Sequence, residues 1–377
     1  MTKWVLAVAT IAVSVLAACV NVRRDPPAQA AVAVAPATWD ARSAAAYLDR
    51  RQTWWMSWQT AARDHGTSCV SCHTALPYAL ARPALRQALG ESQLPPAERK
   101  LIDGVTKRVR LWKEVDPFYP DQTGGMPKTS ESRGTEAVLN ALILATQDAR
   151  NGANSDEGRL AFANLWALQF KNGNLAGAWA WLNFHNEPWE ADDSPFFGAA
   201  LAAIAIGTAP GDYAASPEIQ ARLQALRGYL QRRSAAQPLL NRVTLLWASS
   251  RVPSLLSAAD RRAIIDAALT RQRPDGGWSA SSLGTWKRSD NTAPDTLSDG
   301  YATGLIALAL QQAGQANAEP HVARALDWLA RHQDRASGGW LASSLNRQRD
   351  PSTDIGKFMN DAATAYAVLA LTQREVR

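Results

Sequence analysis

Two kinds of helical pattern alternate along most of the chain. Charged residues mark one face of the first kind, whereas the second kind, as in 299–308 and 361–371, is apolar nearly all round. A helix that is apolar on every side has to be buried on every side. The alternation therefore predicts an inner layer of fully buried helices inside an outer layer of half-exposed ones. Strand patterns are few.

A repeat underlies this alternation. Each copy has a helix, then a loop rich in Gly and Trp, then an acidic residue that opens an Ala- and Leu-rich helix, and it recurs about six times. In the last two copies the loops end at Trp278 and Trp340, and the following helices open at Asp299 and Asp361. About six hairpins can close on themselves without polar end caps. We expect an all-α protein built as an α/α toroid, with Asp193, Asp299 and Asp361 capping inner helices.

The N-terminus has the pattern of an export signal. Lys3 precedes an apolar run that ends in small residues before Cys19. This end resembles a bacterial lipobox, and the resemblance implies removal of residues 1–18 and lipidation of Cys19. An ordinary signal peptide or an uncleaved anchor stays open. Residues 19–37, rich in Ala, Pro and Val, predict a flexible tether, and 38–377 a single domain. The expected location is the periplasmic side of a bacterial membrane. Val20, which follows Cys19 where the sorting pattern for the inner membrane has an aspartate, favours the outer membrane.

Charge and cysteine usage narrow the partners. The formal net charge is +6, but arginines are scattered and do not alternate with aromatic residues, so we do not expect nucleic-acid binding. The chain has three cysteines. With Cys19 assigned to lipid, Cys69 and Cys72 are left, and no disulfide is expected.

The remaining two cysteines belong to the run Cys69-Val70-Ser71-Cys72-His73. A C-x-x-C-H run is typical of covalent haem attachment, with a thioether at each thiol and the histidine as an axial ligand of the iron. A zinc half-site would need a second ligand pair, and a thioredoxin-like redox pair would need an α/β context. The sequence therefore predicts haem c in a loop at 65–73 of the first repeat.

The sixth ligand of such a haem has several candidates. Met126, in Gly124-Gly125-Met126-Pro127, lies in a stretch that resembles the sixth-ligand loop of small class I cytochromes c. That resemblance implies Met126 as the ligand, although a hydrophobic role under the loop stays open. His185 is the alternative, followed by His65.

Three Gln–Trp pairs carry a second resemblance. Their spacing resembles the QW repeats of the squalene-hopene cyclase and prenyltransferase superfamily: Gln169/Trp179, Gln272/Trp278 and Gln333/Trp340. The resemblance implies the toroid fold, and we expect these residues to be structural. Triterpene cyclases carry a D-x-D-D-T motif, to which Glu190-Ala191-Asp192-Asp193-Ser194 corresponds with Glu and Ser replacing the first Asp and the Thr. The resemblance would pass the catalytic acid role to Asp192, and a helix cap is the other interpretation.

These observations lead to one functional expectation and two alternatives. The expectation is a membrane-anchored, extracytoplasmic monohaem c-type cytochrome that transfers electrons or performs haem-dependent redox chemistry, with a redox protein or an apolar small molecule as partner. The first alternative is a lipid- or isoprenoid-binding protein with a structural or sensory haem. The second is a cyclase or isomerase that uses the acidic motif from Glu190 to Asp193.

Overall fold

The computed structural model describes residues 1–2, 38–121, 128–314 and 318–374. The chain separates into two units, 1–36 and 37–377, and the second unit contains the helices and strands. The predicted lipidation site Cys19 and the predicted ligand Met126 lie outside the described residues. Within the described ranges, no helix combines the length and the apolar character that a membrane crossing requires.

The described part of the second unit is helical, which confirms the all-α prediction. Its only strands are β1 (Ala62–Arg63) and β2 (Thr67–Ser68), an antiparallel pair with Ala62 opposite Ser68. The helices are α1 (Ala41–Ser57), α2 (Ala75–Ala88), α3 (Pro96–Arg110), α4 (Lys128–Asn151), α5 (Asp156–Ala167), α6 (Ser194–Thr208), α7 (Gln220–Arg233), α8 (Leu239–Arg251), α9 (Ala258–Leu269), α10 (Gly300–Ala313), α11 (Glu319–Arg331) and α12 (Phe358–Arg374).

Even-numbered helices form the interior. Helix α2 packs on α4, α4 on α6, α6 on α8, α8 on α10 and α10 on α12, and α12 packs back on α2. Every residue of α6 from Phe196 to Ile206 is buried, whereas α11 is buried along one side only. Because these even-numbered helices are apolar nearly all round, the contrast predicted from the sequence is confirmed.

The Gln–Trp pairs tie each hairpin to the next. The Gln333 amide donates to the Gly338 carbonyl in its own loop at 2.8 Å and to the Asp40 carbonyl before α1 at 2.9 Å. The buried Trp340 indole donates to the Leu329 carbonyl at 2.8 Å. Gln272 makes the corresponding bonds to its own loop and to α11. These residues satisfy backbone groups at helix ends, which is the structural role expected of them.

Helix capping follows the prediction at one of the three acidic positions. Asp299 accepts a hydrogen bond from the Ala302 amide at 2.8 Å and caps α10. Asp193 precedes α6, but its side chain makes no capping bond. Asp361 lies inside α12, which begins at Phe358, and its carboxylate binds groups from other helices instead. The capping prediction is therefore wrong for Asp193 and Asp361.

Candidate functional site

A cavity of about 110 Å³ lies where three loop segments meet. Residues 72–73 form one wall, the turn 186–190 forms the second, and residues from 344 to 359 form the third. The lining combines polar side chains with apolar ones, among them the aromatic rings of Trp189 and Phe358. A concave site with few, converging polar groups is the usual form of a binding or catalytic pocket.

His73 enters this cavity in a fixed orientation. Its Nδ1 lies 2.8 Å from the hydroxyl of Thr74, and that hydroxyl donates to Asp361 at 2.6 Å. Since the single hydroxyl proton goes to Asp361, Thr74 accepts from the Nδ1–H of His73, and Nε2 keeps its lone pair. The ring stacks on Phe358 with centroids 3.8 Å apart. Burial lowers the pKa of His73 to about 3, so the ring is neutral at physiological pH.

Asp361 is the buried acceptor behind this arrangement. Arg51 donates to its two carboxylate oxygens at 2.7 and 3.1 Å, and the Tyr47 hydroxyl donates at 2.9 Å. Burial raises the pKa of Asp361, and the bonds from Arg51, Thr74 and Tyr47 oppose that rise. With four donors aimed at its oxygens, the group is held as a carboxylate. The chain from Arg51 through Asp361 and Thr74 therefore fixes the tautomer of His73.

The turn that carries the acidic side chains is held by its backbone and by Trp189. The Asn186 amide donates to the Glu190 carbonyl at 2.9 Å, and the Glu190 amide donates to the Asn186 carbonyl at 3.0 Å. The Trp189 indole donates to the Tyr301 hydroxyl of α10 at 3.0 Å. These bonds fix Glu187 and Glu190 at the cavity wall.

Glu187 and Glu190 have unusual acidities. Burial raises the pKa of each carboxyl from 4.5 to about 7. The negative charges of Asp193 and Asp192 add to the rise at Glu187, whereas the Asn186 side chain and Lys128 oppose it at Glu190. Among the described residues, Oε2 of Glu187 has no hydrogen-bond partner. A carboxyl pair that is partly protonated near neutral pH can act as general acid and general base.

The two cysteines of the C-x-x-C-H run face different spaces. Cys72 lines the cavity with His73, whereas Cys69 lines a second cavity of about 160 Å³ beside α3. Both thiols are buried, which raises the pKa of Cys69 to about 12 and that of Cys72 well above its ordinary value. A haem bound through two thioethers needs both sulfurs at one macrocycle.

With the two thiols lining different spaces, the residues in this arrangement do not fit a bound haem. Covalent attachment at Cys69 and Cys72 therefore rests on the sequence motif alone and stays a prediction.

The other predicted site residues lie away from the cavity. His185 has a side chain that is 74% exposed, with Nδ1 3.7 Å from Asp192, which is 85% exposed and accepts from Asn183. His65 lies beside Asp64. The structure brings none of His185, His65 and Asp192 to the wall of the His73 cavity. An exposed Asp192 also lacks the apolar surroundings that a strongly acidic cyclase residue needs.

Sequence reasoning missed Glu187, and it named Glu190 only as the first residue of an acidic motif. The available signal was two glutamates that flank a proline and a tryptophan in a long inter-helix loop, since such loops are usually functional. Asn346 and Arg349 were missed as well, although they lie in the loop before α12 that has the same unusual length.

No family model and no curated protein matches the chain. Among solved structures, it resembles a glycosidase variant at 15% identity with a TM-score of 0.47, covering 87% of this chain and 97% of that one. A glycosidase variant in complex with glucose gives 14% identity and a TM-score of 0.48, covering 88% and 97%. A wild-type glycosidase gives 14% and 0.43, covering 87% and 97%. Likeness this weak assigns no activity to the chain.

The predicted cytochrome function needs correction. The two thiols of the C-x-x-C-H run line different cavities, and His73 shares its cavity with Glu187 and Glu190. The expectation of a monohaem c-type cytochrome acting in electron transfer or haem-dependent redox chemistry is therefore wrong, and its lipid-binding and cyclase alternatives have no better support.

Proposed function

We propose that the chain is a glycoside hydrolase whose catalytic groups are the carboxyls of Glu187 and Glu190. The observation that carries the proposal is that both side chains line one cavity and that burial raises both pKa values to about 7. Glycoside hydrolysis needs one protonated and one ionised carboxyl at the bond that breaks. The aromatic rings and amide side chains of the same cavity suit a sugar, which has apolar ring faces and many hydroxyl groups.

The surrounding charges assign the two roles. Asp193 and Asp192 favour the protonated form of Glu187, and its Oε2 has no other partner in the described structure, so Glu187 is the acid. The Asn186 side chain and the charge of Lys128 favour the ionised form of Glu190, so Glu190 is the base.

The reaction then balances with water as the only co-reactant. Glu187 gives its proton to the glycosidic oxygen as the bond from that oxygen to the anomeric carbon breaks. Glu190 accepts a proton from a water molecule whose oxygen bonds to the anomeric carbon. Exchange with solvent restores both groups. The neutral His73 accepts a hydrogen bond from a substrate hydroxyl at Nε2 and so orients the sugar.

The finer architecture is part of the same proposal. We infer an α/α toroid in which the six even-numbered helices form the inner ring. Support comes from the helix contacts that return from α12 to α2 and from the Gln333 bridge to the segment before α1. In such an arrangement the loops at one end converge, which accounts for three distant loops sharing one cavity.

The location of the enzyme is also proposed. A lipid on Cys19 would hold it at the periplasmic side of a bacterial membrane, with residues 19–37 as the tether. The measurement is fractionation of cells that express the full chain or its Cys19→Ser variant. Membrane association that depends on Cys19 supports the anchor, and equal distribution of the two chains contradicts it.

The catalytic assignment is tested with 4-nitrophenyl glycosides of neutral and acidic sugars. We expect the wild-type chain to release nitrophenol from at least one of them. Glu190→Gln should lower kcat by about 10²–10⁴-fold, the usual contribution of a general base. Glu187→Gln should lower kcat less on these substrates, because 4-nitrophenolate is a good leaving group that needs little protonation. Glu114→Gln, at an exposed position outside the cavity, is the matched control. Absence of hydrolysis across the panel, or full activity of both cavity variants, overturns the proposal.

A further inference from the structure

Arg349 is a cationic group in the wall of the catalytic cavity that lacks an anionic partner. Its side chain is half-buried, and no described carboxylate lies within ion-pair distance of its guanidinium. The bond that it makes is a long one, from Nη2 to the Asn346 amide oxygen at 3.4 Å. Burial and the neighbouring Arg347 lower its pKa, which agrees with the absence of a compensating negative charge.

Arg51, whose charge also acts on His73, differs from Arg349 in having anionic partners. It binds Asp361 at 2.7 Å and Asp354 at 2.7 Å, so its charge is neutralised within the protein. A guanidinium that is withdrawn from water without such a partner is costly. The planar fork of an arginine fits a carboxylate, phosphate or sulfate group through two parallel hydrogen bonds. A bound oxyanion would supply the negative charge that no described residue provides to Arg349.

A polar chain connects Arg349 to the catalytic turn. Asn346, which accepts from Arg349, donates from its own Nδ2 to the Asn186 side chain at 3.3 Å. Asn186 directly precedes Glu187 and pairs with Glu190 across the turn. The charge of Arg349 also acts on His73 and helps to lower the pKa of that ring. A group bound at Arg349 would therefore lie beside the carboxyls proposed for catalysis.

We propose that Arg349 anchors an oxyanion subsite and that the substrate is an acidic glycoside whose carboxylate binds there. The catalytic part of this inference rests on the proposed hydrolase function. A singly charged carboxylate suits the cavity better than a doubly charged phosphate, because the ionised Glu190 already places one negative charge in it. The surface alternative, in which water alone solvates the guanidinium, is an outcome of the test.

Binding is measured separately from catalysis. The probes are glucuronate and galacturonate, with glucose as the neutral match and glucose 6-phosphate as the doubly charged one, titrated calorimetrically into the wild-type chain. We expect a uronate to bind more tightly than glucose and glucose 6-phosphate. Arg349→Gln should weaken uronate binding about 10- to 100-fold, the loss of a charge-assisted hydrogen bond, and leave glucose binding unchanged. Arg349→Lys should recover part of the affinity.

Arg347→Gln provides the matched control, because Arg347 is exposed on the same loop. It should bind glucose as the wild-type chain does and weaken uronate binding far less than Arg349→Gln, because Arg347 acts on the subsite only through its charge. The subsite is overturned if neither uronate binds, if Arg349→Gln weakens uronate and glucose equally, or if it changes neither. Uronate binding that depends on Arg349, without any glycoside hydrolysis, keeps the subsite and removes the hydrolase proposal. If glycosides are hydrolysed and Arg349→Gln does not change the rate, the hydrolase proposal stands and the subsite is overturned.

Discussion

Glu190→Gln should change how the stability of the protein depends on pH. The pKa of Glu190 rises from 4.5 to about 7 in the folded state. Below pH 4.5 the carboxyl is protonated in both states and contributes nothing. As pH rises from about 4.5 to about 7, the unfolded chain releases this proton first, so ionisation of Glu190 lowers the free energy of unfolding. The full penalty is present above pH 7.

The size of the effect follows from the shift. A shift of one pKa unit corresponds to about 1.4 kcal/mol, so a rise from 4.5 to about 7 amounts to about 3 kcal/mol. The Glu190 side chain keeps some contact with the solvent in the cavity, which reduces this figure to about 2–3 kcal/mol. Glutamine cannot ionise. The variant should therefore gain that amount relative to the wild-type chain between pH 4 and pH 8.

The assay is guanidinium-induced unfolding followed by circular dichroism at pH 4, 6 and 8, with the free energy of unfolding extrapolated to water. Glu114→Gln, at an exposed position, should differ from the wild-type chain by the same amount at every pH. If the difference between Glu190→Gln and wild type is also constant from pH 4 to pH 8, Glu190 titrates normally. The proposed acid–base pair then loses its physical basis.

Two further predictions concern the charges around the site. Initial rates should follow a bell-shaped pH profile centred near pH 7. Asp193→Asn should shift the alkaline limb of this profile to lower pH by on the order of 0.5 unit, because Asp193 raises the pKa of Glu187. If the limb does not shift, it reports the titration of another group. Arg51→Met should lower the free energy of unfolding by about 3–5 kcal/mol, since it leaves Asp361 as an uncompensated buried carboxylate. Adding Asp361→Asn should recover part of that loss, and a loss below about 1 kcal/mol would contradict the burial argument.

Inner helices could be predicted from the sequence because the signal is local. A segment such as 196–206, apolar on every side, has to be surrounded whichever elements surround it, and each of its residues is buried. The Gln–Trp spacing is local in the same sense. Gln333 donates to Gly338, only five residues further along the chain, so its structural role can be predicted without knowing its distant partner Asp40.

Tertiary partners decided what the sequence could not. The sequence around Asp361 is typical of a helix cap, but α12 begins three residues before it. Arg51 and Thr74 bind its carboxylate, and both lie nearly 300 or more residues away along the chain. The acidities of Glu187 and Glu190 arise from burial in a turn, and no spacing rule predicts burial. The C-x-x-C-H spacing likewise does not determine which cavity each thiol faces. A motif indicates available chemistry, and packing decides whether its groups converge.

The contact between α1 and α12 contributes both to the stability of the fold and to the arrangement of the candidate site. Arg51 of α1 binds Asp361 of α12, and Asp361 fixes His73 through Thr74, so the bonds that join the two ends of the helical array also set the tautomer in the cavity. Loss of Arg51 should therefore lower stability and disorder substrate orientation together. Glu190→Gln should instead slow the reaction while stabilising the fold at alkaline pH. Because the two changes move stability in opposite directions, they separate a residue that positions the site from one that reacts in it.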